Sequence, residues 1–240
     1  MVDAIQVDAL CGGYPNHMVF NGLSFRLSGP GLYTLIGPNG SGKSTLLKFL
    51  YREMKPASGK ILLCGKNLAD YPRKAIAEKL ALVPQWGRIE YDFTVRDAVD
   101  MADGDTDAAL RSCELEDKAE MSVLTLSGGE FQRTLIARAL AQDTPILLFD
   151  EPVNNLDVAY QIATMHLLQK LVREQGKMVL LVLHDLTMAQ VYSDTVLLLS
   201  QGELIAQGKA CDVITKSLIE KVYHAPMRWN EEEHILSPLW

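Results

Sequence analysis

No stretch of this 240-residue chain is apolar for long enough to cross a bilayer. The most apolar segments, Met178 to Leu183 and Val196 to Leu199, are far shorter than the roughly 20 residues that a spanning helix needs. The start, Met1-Val2-Asp3-Ala4-Ile5-Gln6, lacks the basic and apolar regions of a secretion signal. The expected location is therefore the cytoplasm or the inner face of the cell membrane, and any path through that membrane belongs to another chain. Cysteine is sparse, and Cys11, Cys64, Cys113 and Cys211 form no CxxC pair, which suits incidental thiols in a reducing compartment. A basic excess is missing too: a net charge of −7 argues against a general nucleic-acid binder. Repeats and low-complexity tracts are absent. Apolar residues are plentiful at 48%, ample for the core of one large α/β domain with a subdomain.

Hydrophobic patterning divides the chain. Ile5 to Leu10 and Met18 to Leu27 alternate as strands of a small antiparallel sheet do. Leu32 to Ile36 is a short apolar run, as expected of a buried strand, and it leads into a glycine-rich loop. Lys43 to Tyr51 follows as a helix with Leu46, Leu47 and Leu50 on one face. Gly59 to Leu63 reads as a strand, Arg73 to Leu80 as a helix after Pro72, and Ala81-Leu82-Val83 as a strand ending at Pro84-Gln85. From Trp86 to Thr125 the sequence turns acidic and helical, with helices at Val95 to Met101 and Thr106 to Glu116 around an Asp103-Gly104-Asp105 turn. A helix from Gly129 to Ala141, a strand from Ile146 to Phe149, a long helix from Val158 to Glu174 and a strand from Met178 to Leu183 complete the pattern. Alternating apolar strands and helices predict an α/β fold with a mostly parallel sheet. A single domain over 1–240 is expected, its core from 1–85 and 142–240 with an N-terminal antiparallel β-subdomain, and a helical subdomain inserted at 86–141.

Two motifs carry chemistry. Gly37-Pro38-Asn39-Gly40-Ser41-Gly42-Lys43-Ser44-Thr45 satisfies GxxxxGK[ST] between a strand and a helix, the context of a P-loop NTPase core. Glycines allow positive φ, so successive N–H groups converge on phosphate oxygens at a helix N-terminus. Lys43 then reaches the β- and γ-phosphates of ATP, the Ser44 hydroxyl ligates Mg²⁺, and Thr45 faces the α-phosphate side. In the second motif, Ile146 to Phe149 ends in Asp150-Glu151-Pro152, which brings two carboxylates to the carboxyl end of a buried strand, where ligands of open α/β sheets bind. Asp150 is the expected Mg²⁺ partner through water, and Glu151, directed differently, the general base for the attacking water.

Many P-loop proteins have those two parts, but far fewer place Leu126-Ser127-Gly128-Gly129-Glu130 between them. This combination resembles the ATP-binding cassette (ABC) family over nearly the whole chain. The resemblance implies that Ser127, Gly128 and Gly129, with Gln132 and Arg133 following, cap ATP held by a second copy of the domain. Ser127 and Glu130 also have capping-box spacing. Tyr14 is similar to the aromatic that stacks on adenine, and Gln85 to the glutamine that contacts Mg²⁺ and water where membrane subunits dock. Asn155-Leu156-Asp157 resembles the D-loop that links the two sites, and His184 the switch histidine at the γ-phosphate.

Within the family, His184-Asp185-Leu186-Thr187-Met188-Ala189-Gln190 and Gln201-Gly202-Glu203-Leu204 look most like ATPases of bacterial importers for iron–siderophores, haem and cobalamin. Glu220-Lys221-Val222-Tyr223 and Pro226-Met227-Arg228-Trp229 fit the same group. With Trp240 as the last residue, the long regulatory domain of sugar-importer ATPases is not expected. The implied partners are a second copy of the chain, two integral membrane permease subunits and an extracytoplasmic substrate-binding protein. One departure stands out: Gln85 to Ser127 is shorter than in most siderophore-type relatives, lacking a basic-aromatic piece, as in a cobalamin-importer ATPase. Trp86 is a candidate for the docking surface or for packing against the subdomain. An exporter ATPase and a non-transport ABC ATPase of the assembly type remain as alternatives.

Overall fold

The computed structural model describes residues 4–85, 91–154, 156–230 and 235–238. Trp86, Asn155 and Trp240 lie outside them. Short apolar runs form the parallel strands of a central sheet. The chain begins with β1 (Ile5–Tyr14), β2 (His17–Leu27), β3 (Gly31–Ile36), α1 (Lys43–Leu50), β4 (Ser58–Leu63), β5 (Lys66–Asn67), α2 (Arg73–Ala77) and β6 (Leu80–Val83). Then come α3 (Val95–Asp100), α4 (Thr106–Ser112), α5 (Gly128–Ala141), β7 (Ile146–Phe149), α6 (Val158–Gln175), β8 (Met178–Val182) and α7 (Leu186–Tyr192). The chain finishes with β9 (Thr195–Ser200), β10 (Glu203–Gly208), α8 (Ala210–Val213), α9 (Lys216–Tyr223), β11 (Met227–Asn230) and β12 (Ile235–Pro238). No helix among the described residues is long and apolar enough to cross a membrane.

The central sheet has the order β10-β9-β3-β8-β7-β6, with β9, β3, β8, β7 and β6 parallel and only β10 antiparallel at the edge. The parallel strands are buried on both faces, which is why they read as near-continuous apolar runs rather than alternating ones. Alternate residues feed two cores. Leu32, Ile36, Leu147, Phe149, Val179 and Leu181 face a core shared with α3 to α7. Tyr33, Leu35, Ile146, Leu148, Leu180 and Val182 face the opposite core, shared with α1 and an antiparallel sheet of order β2-β1-β4-β5. Each fully buried Leu, Ile or Phe contributes about 1.5–3 kcal/mol to holding these layers together.

Two helices stop sooner than their sequence periodicity suggests. The helix expected from Arg73 to Leu80 ends at Ala77, because Leu80 is already paired with Ile146 as the first residue of β6. The helix expected from Thr106 to Glu116 ends at Ser112. Glu114 adopts φ 53, and this left-handed turn swings Leu115 into the core. In the other direction, β1 continues past Leu10 through Gly12 and Gly13 to Tyr14, with register irregularities against β2 that a strict alternation pattern does not reveal.

Candidate active site

Strand register assembles the site. Val83 of β6 pairs with Phe149 of β7, Phe149 with Leu181 of β8, and Leu35 of β3 with Val182 of β8. The segments that follow these strands therefore leave one edge of the sheet side by side: the loop at Gly37, then His184, then Asp150-Glu151, then Gln85. That is the carboxyl edge, where open α/β sheets hold ligands.

The first of these segments can be built only with glycine at its ends. Gly37 has φ 153, and a Cβ there would stand 2.1 Å from the Leu199 carbonyl oxygen. Gly42, in the left-handed region at φ 103, is the N-cap of α1, and its Cβ would meet Phe20 and Val19 at 2.9 Å. Between them, Asn39 and Gly40 are exposed, and the buried Ser41 hydroxyl has no partner among the described residues. Lys43 is only 6% exposed, and its Nζ donates to the carbonyls of Gly37 at 2.7 Å and Pro38 at 3.1 Å. Among the described residues no carboxylate lies within ion-pair distance of it. Burial lowers its pKa, while the charges of Glu151 and Asp150 act in the opposite sense. A buried ammonium satisfied by its own loop's carbonyls, at the N-terminus of α1, fits a polyanion such as a nucleotide triphosphate.

Beside it, the Ser44 hydroxyl donates to Asp150 Oδ1 at 3.0 Å. Burial, the largest cause, and the neighbouring Glu151 raise the Asp150 pKa, while Ser44 and Lys43 oppose them. A hydroxyl and a partly desolvated carboxylate at this spacing are hard oxygen donors of the kind Mg²⁺ takes together with phosphate oxygens and water. Tyr14 ends β1 over α1, 45% exposed. A hydrogen bond with Thr45 is the main cause lowering the Tyr14 pKa, burial opposes it, and Lys48 Nζ approaches the phenol oxygen at 3.4 Å.

Glu151 is the most constrained residue of the site. It adopts φ 55, is 8% exposed, and is held at both oxygens. Oε2 accepts from Gln85 Nε2 at 2.5 Å and from Asn154 Nδ2, and His184 Nε2 lies 2.5 Å from Oε1. Gln85, Glu151 and His184, far apart in sequence, thus meet on one carboxylate. Asn154 escaped the sequence reading, because nothing in its position distinguishes it from any polar turn residue.

The Ser127 edge is a separate feature. Ser127 caps α5 in a reciprocal capping box: its Oγ accepts from the Glu130 N–H at 3.3 Å, and Glu130 Oε2 accepts from the Ser127 N–H at 2.8 Å. That backbone bond, with help from Lys118 and the Ser127 hydroxyl, pulls the Glu130 carboxyl down to about 2. Ser127 and Gly128 are exposed, and a Cβ on Gly128 would meet nothing within 4 Å, so this helix start is open to an incoming group. Asp157, also exposed, caps α6 by accepting from the Tyr160 N–H at 3.0 Å. Gln132 is different: it is buried, with Nε2 lacking a partner among the described residues, so it backs the edge rather than presenting on it.

The sequence model of the ABC transporter family matches residues 20–154, more than half of the chain. The chain belongs to the ABC transporter family. As an ABC ATPase it binds and hydrolyses ATP. It is 36% identical over 239 residues to the ferric enterobactin transport ATP-binding protein FepC of Escherichia coli (strain K12), covering 92% of this chain and 88% of that one. It is 38% identical over 229 residues to the hemin import ATP-binding protein HmuV of Nocardia farcinica (strain IFM 10152), covering 90% and 79%. Among solved structures, the dimeric bacterial ABC transporter cassette MJ0796 superposes with a TM-score of 0.79 at 27% identity, covering 86% of this chain and 98% of the other.

Proposed function

We propose that this ABC ATPase powers a bacterial-type importer of an iron chelate, haem or cobalamin, working with separate membrane subunits from the cytoplasmic face. The observation that carries the catalytic reading is the convergence of Gln85 and His184 on the Glu151 carboxylate, at the same sheet edge as Lys43 and Ser44. Likeness to siderophore and haemin transport ATP-binding proteins over nine-tenths of the chain supports the importer reading.

In this reading Gly37, Pro38, Asn39, Gly40, Ser41 and Gly42 wrap the phosphates with backbone amides, and Lys43 exchanges its two loop carbonyls for β- and γ-oxygens. Ser44, Asp150 and Gln85 hold Mg²⁺, with Thr45 on the α-phosphate side and Tyr14 against the adenine. Bound Mg²⁺ supplies neutralisation of the charge on the transferred phosphoryl group. Glu151 accepts the proton of the attacking water as its oxygen bonds to the γ-phosphorus and the bond to the ADP oxygen breaks. His184 keeps Glu151 aimed and addresses the γ-phosphate.

The Ser127-Gly128-Gly129 edge, exposed at Ser127 and Gly128 and backed by Gln132, caps the ATP of a second copy, and Asp157 lies at the crossing between sites. Likeness to a dimeric cassette supports this arrangement. Closure of the pair is passed through the helical subdomain, residues 86–141, to two permease subunits, with an extracytoplasmic binding protein delivering the cargo. Sedimentation of Glu151→Gln with and without Mg·ATP tests the shared site. A dimer only with nucleotide is expected, and a monomer in both conditions contradicts it. Chelate-stimulated ATPase in the reconstituted complex tests the importer reading, and its absence for iron–siderophore, haem and cobalamin alike overturns that reading.

A further inference from the structure

The start of α5 and the start of α6 pack in register. A Cβ added to Gly129 would stand 3.3 Å from Leu156 Cδ2, so the bare glycine lets the helix start rest on a buried leucine. One turn further along each element, Arg133 covers Tyr160, its guanidinium carbon 4.3 Å from the ring centroid. The contacts therefore pair 129 and 133 with 156 and 160. This i, i+4 spacing puts 129 and 133 on one face of α5, as it does for side chains on any helix.

Each partner of the second contact is anchored from behind. Arg133 is 8% exposed, and its Nη1 donates to the carbonyls of Cys113 at 3.3 Å and Glu114 at 3.4 Å. These carbonyls sit at the C-terminal end of α4, where a cation is favoured. On the other side, the Tyr160 N–H is fixed by Asp157, and Gln161 Nε2 donates to the carbonyls of Val153 at 3.3 Å and Leu156 at 3.2 Å. Arg133 Nε is buried without a partner among the described residues, beside a cavity of about 50 Å³ lined in part by Tyr160, Ile136 and Thr164. The ring face is thus the contact that α6 offers the guanidinium.

We infer that Arg133 and Tyr160 are positioning residues that tie the Ser127 edge to the Leu156-Asp157 segment, so that both reach the opposite protomer's ATP as one body. The inference rests on the two-copy reading above. A partly desolvated cation–π contact suits the task, because it binds without the strict directionality of a hydrogen bond.

The test uses the Glu151→Gln chain as parent and reads the ATP concentration at half-maximal dimerisation by sedimentation. Binding of a fluorescent ATP analogue to the monomer is measured alongside. Tyr160→Ala is expected to raise the dimerisation midpoint about tenfold with monomer binding unchanged, whereas Tyr160→Phe, which keeps the ring face, stays within about twofold. Arg133→Lys, losing the planar fork, is expected to move the same way as Tyr160→Ala. Combining it with Tyr160→Ala should move the midpoint by less than the product of the two single effects, since the two changes share the Arg133–Tyr160 contact. A Tyr160→Ala midpoint equal to the parent's, or monomer binding lost in parallel with dimerisation, overturns the inference alone. A parent that never dimerises removes the two-copy reading and the inference with it.

Discussion

Replacing Glu151 by Gln exchanges one carboxylate oxygen for an amide and leaves the side chain's size unchanged. The surroundings can accept the amide: its oxygen can take the Gln85 and Asn154 donors, and its NH₂ can face His184 Nε2 in the neutral imidazole tautomer. No buried group is orphaned, so unfolding should shift little. Electrostatics favour retained binding, because Glu151 is one of the charges that raise the pKa of Asp150. Its removal eases ionisation of the proposed Mg²⁺ partner and takes a negative charge away from the γ-phosphate. Only the proton acceptor is lost. A general base contributes about 10²–10⁴ in rate, or roughly 3–5 kcal/mol of barrier. Phosphate release at saturating Mg·ATP should therefore fall by about a thousandfold, while the Kd for ATP stays the same or tightens. A kcat within about threefold of the unmodified protein, with ATP binding intact, would remove Glu151 from the proton-accepting role.

Four further outcomes follow from the geometry. Gly42→Ala places a methyl against Phe20 and Val19 at a positive φ, so ATP binding should fall by at least tenfold, read by equilibrium titration. Phe149→Ala empties a fully buried position beneath Asp150 and should cost about 3–5 kcal/mol in urea unfolding. The Glu130 carboxyl is depressed from 4.5 to about 2 on folding, so its contribution is complete above pH 4.5 and lost as pH falls toward 2. The stability difference between the unmodified chain and Glu130→Gln should accordingly be larger at pH 6 than at pH 2.5, measured by denaturant midpoints. Tyr14→Ala should weaken ATP more than inorganic triphosphate, whereas Tyr14→Phe should bind both nearly as the unmodified chain does, measured by competition.

Much of the sheet was legible because its parallel strands are short and doubly buried, and two of them run into the candidate site's motifs: Leu32 to Ile36 into Gly37, and Ile146 to Phe149 into Asp150. Helix ends were less so. The apolar spacing around α2 and α4 continues past Ala77 and Ser112, and tertiary demands at Leu80 and Leu115 decide where each helix stops. For the candidate site, the linear motifs named the residues but not their mutual contacts. That Gln85 and His184 share one carboxylate follows from the parallel register of β6, β7 and β8, which no local pattern encodes. The Arg133–Tyr160 contact was hidden for the same reason, since it joins two helices separated by a strand.

The central claim is that one ATP is gripped by Lys43 of one protomer and capped by Ser127 of its twin. A structure of Glu151→Gln trapped with Mg·ATP measures this directly. The account predicts two nucleotides at a two-fold interface, each with its γ-phosphate within hydrogen-bonding distance of Lys43 from one chain and Ser127 from the other. A nucleotide enclosed wholly by one chain, with Ser127 facing solvent, would contradict it.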